Sequence, residues 1–247
     1  MANWNDPRQV RTGYGASSTV PRTGGAVTFD AGLRSYMLSI YNYMTSGVLL
    51  TGIVALLTAQ SGLAVTFASG PLMWIVALSP LAIVFAMSFG MQKFSKTTLQ
   101  AMYWAFAVLM GLSLSTLFLV YTGASIATTF FATAGAFAGL SLYGYTTKKD
   151  LSAWGTFLIM GVVGLIIAMV INIFVQSSGL ALAISFLGVL IFAGLTAYDT
   201  QKLKNMYDQV RGTEFMGKVV IMGALNLYLD FINMFLFLLR FMGSARE

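Results

Sequence analysis

The chain has 247 residues, of which 57% are hydrophobic and only 9% charged, with a formal net charge of +6. Soluble domains carry about a quarter charged residues, so this balance and a mean hydropathy of +0.79 exclude an ordinary soluble globule and indicate a polytopic membrane protein. Cysteine and histidine are both absent, which removes disulfides, thiolate nucleophiles, nitrogen- and sulfur-ligated zinc sites and histidine-based triads. In a membrane chain the excess of basic residues records topology, and no soluble basic domain is present to bind nucleic acid.

Residues 1–30 are rich in Gly, Ser, Thr and Arg and precede the first apolar run by too far to be a signal peptide. They are expected to form a flexible cytoplasmic tail, and residues 31–247 a seven-helix transmembrane domain. Three charge-free stretches follow, 35–92, 97–147 and 151–198. Each is long enough for two spans of about 20 apolar residues and a turn. The turns show as small and polar clusters at Gln60, Ser61 and Gly62 through Pro71, at Thr122 and Gly123, and at Gln176 through Gly179. A seventh apolar segment, 219–239, is interrupted only by Asp230. The predicted helices are 36–60, 72–92, 98–121, 124–146, 152–175, 180–205 and 217–240. All their faces are apolar, so periodicity cannot fix their rotation. Alternation of the kind a transmembrane barrel strand needs is missing from 161–171, and backbone satisfaction in lipid leaves helices. The fold expected is all-α and multipass.

Basic residues set the orientation. The N-terminal region and the second, fourth and sixth loops hold all but Arg240 and Arg246 of the 14 Lys and Arg residues. The positive-inside rule then puts the N-terminus in the cytoplasm and, after seven spans, the C-terminus outside; those two arginines argue mildly the other way. Trp74, Trp104 and Trp154 fall near span ends, as interfacial aromatics do. Gly135 and Gly139, and Gly161 with Gly164, are expected to permit close helix packing. Pro80 is expected to bend the second helix.

Two acids lie within apolar runs: Asp199 and Asp230. An ionised aspartate at the bilayer centre costs on the order of 2.5–3.5 kcal/mol on insertion scales, so it needs water, a partner or a proton. The loop between helices six and seven turns near Gly212, Thr213 and Glu214, leaving each acid about 15 residues from the tip, and two antiparallel helices then bring them to one depth. Asn226 and Asn233 lie one turn to either side of Asp230, and Thr196 one turn before Asp199, giving polar stripes that should turn inward. Two carboxyls sharing a site titrate as a unit and would respond to pH without histidine. Loss of the shared proton would repel the helices or recruit a hard cation such as calcium, which favours oxygen ligands; Asp199 and Asp230 are then the candidate metal-binding residues, with Asn226, Asn233 and Thr196 supporting. A plain structural reading stays open: Asp199 at the interface beside Lys202, and Asp230 neutral and hydrogen-bonded between helices.

Three segments, FAGLSLYGYTTKKDL at 137–151, YDTQ at 198–201 and ALNLYLDFIN at 224–233, together resemble the Bax inhibitor-1 (transmembrane BAX inhibitor motif) family over about residues 30–240. The resemblance implies a seven-helix fold with helix seven central, a bacterial inner-membrane location, and a pH-sensitive calcium leak regulated by an aspartate pair, whose positions Asp199 and Asp230 occupy. It also implies a basic residue in helix two that latches the pair. Helix two has no arginine here, and the nearest basic side chain is Lys93.

Bacterial relatives resembling this chain include modulators of a membrane-bound AAA protease, a role that the basic residues 1–34 would suit. An intramembrane aspartyl protease would instead need Gly-x-Gly-Asp for close backbone approach, and the chain has Leu227, Tyr228 and Leu229 before Asp230. No enzymatic activity and no cofactor are expected, with calcium as cargo and the lipid bilayer as surroundings.

Overall fold

The computed structural model describes residues 30–246; nearly all of the expected cytoplasmic tail and Glu247 lie outside them. The described chain runs α1 (Ala31–Gln60), α2 (Leu63–Phe67), α3 (Gly70–Gly90), α4 (Lys96–Leu114), α5 (Leu117–Val120), α6 (Gly123–Thr146), α7 (Ser152–Val175), α8 (Ser178–Val210) and α9 (Met216–Met242). With α4 and α5 as one crossing, seven segments are long and apolar enough to span a bilayer. Three helices start on a hydroxyl that caps a free N–H: Ser95 accepts from Thr98 N, Thr122 from Ser125 N and Ser177 from Leu180 N.

Helix α9 is the hub. Of its apolar window 72% is buried, against 11% for α7, and α1, α4, α6 and α8 pack around it. Tyr228 is fully buried and stands edge-on to Phe106 at 4.9 Å. Its hydroxyl bonds Thr51 Oγ1 at 2.6 Å, and Thr51 donates to the Ala107 carbonyl at 2.8 Å, so one polar knot ties α9 to α1 and α4. Helix α7 packs chiefly on α8 and leaves Phe157, Met160 and Phe174 exposed, as a lipid-facing helix does.

The two ends of the bundle are set by contacts across it. Lys218 Nζ, at the start of α9, donates to the carbonyls of Met91 and Gln92, while Lys204 Nζ donates to that of Tyr145. At the other end Thr122 N donates to Ser244 O, and Arg246 N to Val120 O. Helix α9 therefore crosses fully, and the C-terminal residues lie at the end opposite the basic loops; a re-entrant final segment is excluded.

Several expectations are corrected. The third span breaks at Ser115 and Thr116, whose hydroxyls donate to the carbonyls of Leu112 and Ser113; such back-bonding competes with helical pairing. Helix six continues to Val210, about a turn past its predicted end. Gly135, Gly139 and Gly164 face open space, and only Gly161 of the four meets a neighbour, Ile191 on α8. Trp74 and Trp154 are exposed, but Trp104 packs on Tyr43 and Tyr103 within the bundle.

Candidate functional site

Helices α8 and α9 form an antiparallel hairpin about the 211–215 turn, where Gly212 takes the left-handed φ of 75° that glycine allows at no steric cost. The hairpin brings Asp199 and Asp230 to one level, close enough for each carboxyl to feel the other. Asp230 is 5% exposed and Asp199 half-buried. Among the described residues, no protein N–H or O–H reaches Asp230 Oδ2. An ionised carboxylate only accepts, so a hydrogen bond between these two acids requires one of them to carry a proton. Asp199 is half-buried within the field of Lys202, as the interface reading expects, and also lies near its partner acid.

The supporting residues behave differently. Thr196 Oγ1 donates to its own helix at Phe192 O and Asn233 Nδ2 to its own helix at Leu229 O, each at 2.8 Å. Asn226 is half-buried with no side-chain bond among the described residues. None of the three bonds either carboxyl. Lys93 is exposed beyond the end of α3. The cation whose field reaches Asp199 is Lys202, one turn on, which also lies 5.9 Å from the Tyr198 ring.

What sequence reasoning missed is the wall behind Asp199. Phe137, Ser141 and Gly144 share one face of α6 at helical spacing. Phe137 packs on Phe231, the neighbour of Asp230, at 5.7 Å. Ser141 joins the Tyr41 hydroxyl and, at 3.0 Å, Thr200 Oγ1, making a hydroxyl chain from α1 through α6 to the residue after Asp199. Gln201 then clamps the α6–α7 loop: its Oε1 accepts from Leu151 N and its Nε2 donates to Lys149 O, both at 2.8 Å. The signal was present in the motif at 137–151, whose small and polar residues recur on one helical face.

These observations define a multipass helical membrane protein with one buried and one half-buried aspartate on its two most interior helices. Residues 33–247 match the family described as Inhibitor of apoptosis-promoting Bax1. The inner membrane protein YbhL of Escherichia coli K12 is 45% identical over 230 residues, covering 92% of this chain and 98% of that protein. A Caulobacter vibrioides protein is 45% identical over 244 residues, covering 94% and 98%, and a Rickettsia prowazekii protein matches equally well over 233. The chain belongs to the Bax inhibitor-1 family, as a multipass protein of the bacterial inner membrane.

Proposed function

We propose that this protein is a pH-responsive leak pathway for calcium, governed by Asp199 and Asp230, with the basic loops and the N-terminus in the cytoplasm. The observation that supports the reading is the burial of Asp230 near Asp199 in the α8–α9 hairpin, with Asp230 Oδ2 unmatched by any protein donor among the described residues. With one proton between them the acids hold the two helices together. Without it, two unit charges about 4 Å apart repel by about 4 kcal/mol at an effective dielectric of about 20. That is enough to part a helix pair or to draw in a divalent cation.

Two carboxylates offer at most about four oxygens, whereas calcium takes 6–8, and water supplies the remainder. Such a pair suits an ion in transit better than one stored. The role assigned to the acids is electrostatic gating, and no covalent chemistry is assigned to them.

Calcium release from liposomes containing the full chain, followed from acid to alkaline pH, tests the reading. Wild-type flux should rise with pH, while Asp199→Asn and Asp230→Asn should be insensitive to it. Unchanged pH profiles in both variants would remove the proposal.

A further inference from the structure

At the end of the bundle opposite the basic loops, a cavity of about 660 Å³ opens where α7 ends, α8 begins and α9 ends. That volume is within the range of small-molecule sites, roughly 300–1,000 Å³. Its polar lining is Arg240, Asn172, Ser178, Ser185 and Tyr121, with no Asp or Glu among the described residues. Arg240 is exposed in the last turn of α9. Its guanidinium lies 4.0 Å from Met169 Sδ and 5.9 Å from the Phe237 ring, and no carboxylate pairs with it among the described residues. These contacts are weak for a guanidinium, whose fork matches phosphate and carboxylate oxygens.

The neighbouring groups are donors too. Asn172 Oδ1 is taken by Ser177 N, which leaves the Asn172 amide nitrogen to donate. The hydroxyls of Ser178 and Tyr121 have no partner among the described residues, while Ser185 donates to Ala181 O on its own helix. Beside this donor set, Ile173 is 67% and Leu182 54% exposed, so the walls are apolar and open sideways. A cation and donors at the level of the helix ends, above an apolar flank, match an amphiphile with an anionic head. We propose that this cavity binds an anionic phospholipid, its phosphate on Arg240 and its acyl chain along Ile173 and Leu182. The site gives Arg240 a role that the positive-inside rule does not. Neither Asp199 nor Asp230 lines the cavity, so lipid binding here is tested separately from the carboxyl pair.

Native mass spectrometry of the full chain in neutral detergent tests this, with phosphatidylglycerol, phosphatidylcholine of the same acyl chains, and inorganic phosphate as separate probes. Phosphatidylglycerol should be held in preference to phosphatidylcholine. Arg240→Gln should weaken it about tenfold, the effect of losing one charge-assisted hydrogen bond, and Arg240→Lys should retain most of it. Arg246→Gln should change little, because Arg246 does not line the cavity and donates to Phe118 O at 3.0 Å. Equal binding of the two lipids, phosphatidylglycerol binding that survives Arg240→Gln, or phosphate alone binding as well as the lipid would each overturn the proposal. Should Arg240→Gln fail to fold, the preference of the wild type between the two lipids decides.

Discussion

Gly144 of α6 lies so close to α8 that a Cβ there would fall on the carbonyl oxygen of Ala197, two residues before Asp199. The two helices can approach to this distance only because one of them lacks a side chain at the crossing. Backbone cannot swing aside as a flexible side chain can. Gly144→Ala should therefore cost about 1–3 kcal/mol, the range for overpacking, measured by unfolding in mixed detergent micelles. Gly139→Ala, which faces open space on the same helix, should leave stability unchanged or slightly raised.

The acid pair should behave as a unit. Either single Asn replacement removes the shared proton's site, so Asp199→Asn, Asp230→Asn and the double variant should show nearly the same flat dependence of calcium flux on pH. Additive effects in this double-mutant cycle would mean that the two carboxyls act separately.

Gln201 holds the α6–α7 loop through both ends of its amide. Gln201→Leu keeps the bulk but strands Leu151 N and Lys149 O. A loss of about 1–3 kcal/mol is expected if those groups stay buried, and less if water reaches them. Hydrogen exchange at the Leu151 amide should accelerate strongly, while exchange near Thr51 stays slow.

Asp150 lies in that loop, outside the spans. The Ser152 side chain first, and its backbone N–H second, hold the Asp150 carboxyl below its usual range; the backbone bond is 2.9 Å. A lowered folded value means that the contribution is present above the ordinary carboxylate range and fades as pH falls through the folded value. Amide exchange at Ser152, corrected for its intrinsic pH dependence, should therefore show protection that disappears in strong acid. Asp150→Asn should abolish this change.

The spans were legible because lipid demands long apolar runs: the charge-free stretches 35–92, 97–147 and 151–198 hold two spans each, and 219–239, interrupted only by Asp230, supplies the seventh. The common depth of Asp199 and Asp230 was legible too, since a hairpin places residues equidistant from its tip side by side. Their facing was not: with apolar residues on every side, nothing in the pattern fixes rotation, and only packing on α6 and α1 does so. The same blindness explains Gly135 and Gly139, which have the spacing of a packing motif yet face outward. It also explains Thr196 and Asn233, whose polar groups bond their own helices. Local bonding of Ser115 and Thr116 decided the break in the third span, a choice that hydropathy does not register.

The central position of α9 has a consequence for biogenesis. The segment that fills the middle of the bundle follows the other six described spans in the chain, so the ribosome delivers those spans before the piece they enclose exists. Before Met216–Met242 is inserted, the faces of α1, α4, α6 and α8 that pack on it in the finished fold have no α9 to bury them. A nascent chain halted before α9 should accordingly be far more open to membrane proteases than one released after Met242.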